Sequence, residues 1–165
     1  MKRLMLLSAL LTAISLVSGP LGLAAGEYTN TELKYSISLP DGWSVIDNTG
    51  RETYFGRRGA DYPGAAVGTL SASTRLTDDR VRHIDLNNLK VTRDTMTRQA
   101  GWPARRIDGT AVSEGDALLF YSIAIKPGDD AEIIQLTVWG PPALLSSGAI
   151  GQQVDQMLAT FRPVR

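Results

Sequence analysis

The chain has 165 residues, with 17 basic and 17 acidic side chains, one histidine and no cysteine. This length points to a single domain, and the balanced charge gives no global pull towards nucleic acid or anionic lipid. Without cysteine there is no disulfide, no lipid-bearing cysteine and no thiolate zinc site, and one histidine excludes a multi-histidine metal centre.

Met1-Lys2-Arg3 is a short basic head, followed over 4–17 by an uncharged, largely apolar run. Ser18-Gly19-Pro20 breaks that run, and Leu23-Ala24-Ala25 sets small residues where a signal peptidase cuts. A membrane span needs about 20 apolar residues. The pattern therefore reads as a cleavable export signal over 1–25, which makes 26–165 a periplasmic or secreted domain. That domain carries fifteen basic and seventeen acidic residues, a net charge of −2. It has no second long apolar run, so no transmembrane span is expected after cleavage.

Strand signals dominate the domain. Tyr35, Ile37 and Leu39 alternate with Ser36 and Ser38, which predicts a half-buried strand. Pro40-Asp41-Gly42 is turn chemistry, and Trp43 and Val45 resume the inward face in what reads as a hairpin. Weaker strands are expected over 53–56 and 65–73. Asp85 could cap a helix over 86–100, on whose inner face Leu86, Leu89, Arg93, Met96 and Ala100 would fall, with Gly101-Trp102-Pro103 ending it. A three-strand meander follows over 104–112, 117–126 and 131–140, turned at Ser113-Glu114-Gly115-Asp116 and at Pro127-Gly128-Asp129-Asp130. Its middle strand is almost continuously apolar, the mark of burial on both faces. Ile150, Val154, Met157, Leu158 and Phe161 form the apolar stripe of a final helix beginning at Ser147 or Gly148. Short turns between strands imply an antiparallel sheet. The expected fold is α+β: a sheet of about six strands flanked by helices on both faces, an α/β/α sandwich.

The run Tyr35-x-Ile37-x-Leu39-Pro40-x-Gly42-Trp43 behind an export signal, together with a final helix ending Leu158-Ala159-Thr160-Phe161-Arg162-Pro163, resembles the PsbP-like fold family. That group spans photosystem extrinsic proteins, bacterial envelope proteins of the DcrB type and a Ran-binding import factor. The resemblance implies an antiparallel sheet flanked by helices and a non-enzymatic role in binding a protein partner of the cell envelope. It implies no cofactor, and no functional position of the family carries over residue by residue.

The chemistry-bearing residues fit that expectation. His83, between Arg82 and Asp85, reads as a solvated loop residue without catalytic partners. Asp78-Asp79 and Asp129-Asp130 are doublets whose side chains diverge, and the second sits in a turn that favours Asp. No calcium loop, phosphate-binding glycine loop or Gly-x-Ser-x-Gly elbow occurs after residue 25. Arginine outnumbers lysine thirteen to four, and eight basic residues against four acidic ones fall between Arg75 and Arg106. Arginine suits capture of carboxylate or phosphate. Arg57, Arg58, Arg105 and Arg106 are therefore candidate partner-binding residues, with Trp102 in its Gly-Trp-Pro turn as a candidate contact. Arg105 and Arg106, neighbours on a strand, are expected to point to opposite faces. Trp43 is expected in the core and Trp139 beneath the final helix. The leading function is an exported, non-catalytic interaction or assembly module. Second stands a small-ligand or lipid-binding protein with a pocket between the sheet and the 86–100 helix; third, a hydrolase. The export reading predicts that N-terminal sequencing of the secreted form begins near Gly26, and Met1 retained in the membrane fraction contradicts it.

Overall fold

The computed structural model describes residues 26–82, 86–146 and 148–164. The expected export signal, His83, Asp85 with its capping role, and Ser147 lie outside these residues. The strands are β1 (Gly26–Asn30), β2 (Tyr35–Leu39), β3 (Trp43–Asn48), β4 (Glu52–Arg57), β5 (Gly64–Leu70), β6 (Asn87–Gln99), β7 (Trp102–Ser113), β8 (Asp116–Ile125), β9 (Ile133–Gly140) and β10 (Arg162–Pro163). Two helices, the short α1 (Pro142–Leu145) and α2 (Gly148–Thr160), precede β10. Seven strands form an antiparallel sheet in the order β3-β4-β5-β9-β8-β7-β6, and β1, β2 and β10 form a small second sheet. The α+β class holds, with a main sheet larger than the expected six strands.

The Pro40-Asp41-Gly42 turn does form. Gly42 takes φ +83°, and the Trp43 N–H donates to the Pro40 carbonyl at 3.1 Å. It does not close a hairpin, because β2 and β3 belong to different sheets. The turn instead passes the chain from the small sheet to the large one and sets Trp43 at the seam. There the indole is fully buried among Tyr35, Ile37, Phe55 and Met157, with its Nε1–H donating to Gln153 Oε1 at 3.2 Å.

One face of the main sheet is thereby closed. Val154, Met157 and Leu158 of α2, with Phe161 beyond it, are buried against this face. The small sheet completes the cover. Tyr28 meets the Phe55 ring edge-on at 5.4 Å, and Asn30 Nδ2 donates to Thr53 Oγ1 at 3.1 Å.

The 86–100 segment is not a helix but the edge strand β6. Val91, Thr92, Thr95 and Thr97 are β-branched, which favours the extended chain. Ala100 and Gly101 take φ +49° and +86° with Gln99 opposite Trp102, a two-residue hairpin turn. Glu114 and Gly115 repeat this between β7 and β8, as the sequence predicts. From the end of β6, Gln99 Nε2 reaches the carbonyls of Leu158, Ala159 and Phe161 at 3.0, 3.1 and 3.0 Å. These are carbonyls that the end of α2 leaves without helical donors.

Among the described residues the α-helices therefore cover only one face, which corrects the expectation of helices on both faces. On the second face the 71–82 segment, with a single 3-10 turn at Asp79–Arg82, lies across β7, β8 and β9. Leu76 and Val81 plug into Ile107, Leu118, Phe120 and Ile133. Three long side chains donate to its carbonyls: Arg105 Nη1 to Leu76 (2.6 Å) and Asp78 (3.0 Å), Lys126 Nζ to Ala72 (2.8 Å) and Thr74 (3.1 Å), and Gln135 Nε2 to Val81 (3.0 Å). Trp139 also stands on this face, away from α2. Ile134, Leu136 and Val138 take the helix side, so the two-residue period turns the next side chain outward.

Truncating a buried aromatic costs about 3–5 kcal/mol, a large part of a typical stability of about 5–15 kcal/mol. Trp43→Ala should lower the urea midpoint strongly. A midpoint unchanged within error would remove Trp43 from the seam.

Candidate functional site

Along the second face, large side chains lean over glycines on adjacent strands. A Cβ on Gly109 would meet the Phe120 ring at 2.8 Å and the Lys90 carbonyl at 2.3 Å. One on Gly64 would lie 2.7 Å from the Trp139 indole, and one on Gly56 2.6 Å from Ile46 Cδ1. Rings and branched chains thus lie flat where a cross-strand neighbour lacks a side chain.

In the half of the face beyond the 71–82 segment, β5 presents the small residues Gly64, Ala66 and Gly68 at alternate positions before Leu70. Tyr54 and Glu52 of β4 stand opposite Ala66 and Gly68 on one side. Trp139, Thr137 and Gln135 of β9 stand opposite Gly64, Ala66 and Gly68 on the other. The result is a trough of about 240 Å³ along β5, with Leu70 and Leu86 also in its walls. The Tyr54 hydroxyl donates to Glu52 Oε2 at 2.5 Å. Glu52 lies across Gly68, its Cγ and Oε1 at 3.3 and 3.4 Å from where a Cβ would stand. Thr137 is tied to Ser122 (Oγ1 to Oγ, 3.0 Å), and Gln135 Nε2 is used by Val81 and Ser122, so the β9 wall is held in place. Beside the trough, Ile46 is 69% exposed. The sequence gathers none of these residues into a site; it sets Trp139 beneath the final helix and Leu86 on a helix face. The available signal was Gly64-x-Ala66-x-Gly68, small residues on one face of a strand inside a large sheet.

The five residues singled out from the sequence do not form one surface. Arg58 is exposed in the turn after β4, and Arg57 is half-buried with its Nε buried and unpartnered among the described residues. Four strand spacings, about 19 Å, separate β4 from β7, where Arg105 and Arg106 stand. Arg105 and Arg106 do point to opposite faces. Arg105 is 5% exposed and committed within the chain: its Nε and Nη2 hold Asp94 Oδ1 and Oδ2 at 2.7 and 2.9 Å. Arg106, on the α2 side, pairs with Asp108 and lies 5.4 Å over the Tyr121 ring. Arg93 reaches the same Asp108 at 3.3 Å. Trp102 is half-buried against the first core rather than free. Among the described residues, no group of three or more His, Asp or Glu is placed to hold a metal ion, and no helix is long and apolar enough to cross a membrane.

This architecture, a large antiparallel sheet with its helices on one side and a small sheet at the seam, is the PsbP-like fold. Solved structures that share it include the cyanobacterial PsbP (CyanoP) of Synechocystis sp. PCC 6803, with 12% identity, 88% of this chain and 96% of that one covered, and a TM-score of 0.66. Another is the Ran-binding protein Mog1p of Saccharomyces cerevisiae, at 9% identity, 86% and 96% coverage and a TM-score of 0.56. LpqN of Mycobacterium tuberculosis, involved in cell envelope biogenesis, aligns at 7% identity, 86% and 91% coverage and a TM-score of 0.57. At the level of sequence, no family model and no curated protein matches the chain. Identities this low carry the fold alone.

The Arg105–Asp94 pair is testable through pH. Hydrogen bonds from Arg105 come first, then the bond from Arg82 Nε at 2.6 Å; together they hold the Asp94 carboxyl below its ordinary value, against the opposing effect of burial. The folded-state value lies below the unfolded one, near 3.9. The pair therefore stabilises the fold above about pH 3.9 and loses that contribution as pH falls through the depressed value. Asp94→Asn should lower stability at pH 7 and flatten the loss of stability below about pH 4. An acid limb identical to that of the parent chain would contradict this.

Proposed function

We propose that this chain is an exported, non-catalytic interaction module of the cell envelope, and that its protein partner docks on the open half of the second sheet face. One observation carries the reading. Ile46, Tyr54, Trp139 and Leu86 stand around a floor of small residues that no other described element covers. Aromatic and branched apolar groups gathered around a recess are the composition of protein-interface centres. The shared fold with a protein of cell envelope biogenesis and with a Ran-binding protein supports partner binding. The basic head, apolar run and small-residue exit of 1–25 support export. Binding of a small ligand or lipid ranks second. The trough lies between sheet strands rather than under a helix, and its volume of about 240 Å³ falls below the roughly 300–1,000 Å³ of drug-sized ligand sites.

Site-specific photo-crosslinking in the envelope fraction tests the reading. The benzophenone amino acid is placed at Ile46, at the exposed Gln152 of α2 and at Arg58. A saturable, defined protein adduct from Ile46 that is missing from Gln152 is the expected result. Adducts from Gln152 or Arg58 alone, or none from Ile46, would move the docking surface elsewhere.

A further inference from the structure

Resting on that docking surface, we propose that the trough is a receptor for one lysine side chain, presented by an extended segment of the partner protein. Its lining combines two aromatic walls with one carboxylate. Tyr54 and Trp139 flank β5, and Ala66 leaves the floor between them shallow and apolar. A four-carbon stem is the chemistry that lies in such a slot with its charged head free to reach further, and aromatic walls also favour a cation.

The carboxylate selects the head group. Glu52, the one carboxylate in the trough lining, forms no ion pair with any described residue. Its Oε2 is taken by the Tyr54 hydroxyl, which fixes the group in place. Oε1 has no hydrogen-bond partner among the described residues and lies over Gly68, 3.4 Å from that residue's Cβ direction. One acceptor oxygen suits a compact ammonium. A guanidinium gives its strongest contact to both oxygens of a carboxylate, and here Oε2 already shares its lone pairs with the Tyr54 hydroxyl, which weakens a bidentate approach without blocking it. The size agrees: an open recess of about 240 Å³ can take one long side chain. Gly68 leaves Glu52 room to lie there, since a Cβ at that position would stand 3.3 Å from Glu52 Cγ and crowd it.

The test uses the folded domain and follows the three indole N–H resonances by NMR. The probes are the peptide Ac-Ala-Lys-Ala-amide, its norleucine isostere, which keeps the stem and removes the charge, and free butylamine. The lysine peptide should shift the Trp139 indole saturably and leave Trp43 unmoved. The norleucine peptide and butylamine should each bind at least tenfold more weakly. Glu52→Gln should cost the lysine peptide at least tenfold while leaving the norleucine peptide unchanged. Tyr54→Phe, which keeps the wall and frees Oε2, should narrow the preference for lysine over an arginine peptide. Equal binding of lysine and norleucine peptides, or undiminished lysine binding by Glu52→Gln, overturns the lysine assignment while leaving the trough as a docking surface. Butylamine binding as tightly as the peptide overturns assignment to a protein segment. If no probe moves Trp139 while the Ile46 crosslink still forms, the lysine inference fails alone; if the crosslink is lost too, the docking surface fails with it.

Discussion

The structure depends on one constraint of cover. A seven-stranded sheet is about 29 Å across at the usual spacing, whereas one α-helix, about 10 Å wide, shields roughly two strands. Among the described residues one helix has useful length, α2, and it lies on the first face with the small sheet beside it. The second face has to be closed by other means. Over β7, β8 and β9 the 71–82 segment does this, held through its carbonyls by Arg105, Lys126 and Gln135. Elsewhere rings lean over glycines. Over β5 neither device reaches all of the sheet, and the trough is what remains.

The same constraint explains the arginines. Their density between Arg75 and Arg106 reads as a charged surface, yet Arg105 is spent inside the protein. It fastens the covering segment and joins β7 to Asp94 of the edge strand. Arg106 and Arg93 share Asp108 on the opposite face. A sheet sends alternate side chains to opposite faces, so a run of basic residues along the chain is divided before it can form a patch.

Much of the fold was legible in the sequence. Alternation at Tyr35, Ile37 and Leu39, the double-sided apolar run of β8 and the stripe of α2 each led to the right element, and the Pro-Asp-Gly turn led to a buried Trp43. The 86–100 segment misled for a physical reason. As an edge strand its side chains are largely exposed, so no clear apolar alternation marks it. The pairing also slips between Val91 and Arg93, which shifts the alternation there: Val91 and Met96, five residues apart, pair with Gly109 and Arg105, which share a face of β7. With the strand alternation obscured, Leu86, Leu89, Arg93, Met96 and Ala100, spaced three or four apart, imitate a thin helical stripe. The trough was hidden because it is made by what β5 lacks and by partners drawn from β4 and β9. Which strand neighbours β5 is a long-range fact that local pattern does not hold.

Everything proposed for the second face requires 87–99 to be a strand, since a helix there would lie across the sheet and give that face a different cover. Backbone chemical shifts of the folded domain decide this directly. The account predicts extended-chain Cα and Cβ shifts through 87–99, and cross-strand contacts between Met96 and Arg105 and between Gln99 and Trp102. Helical shifts across 86–100, with those contacts missing, would contradict it.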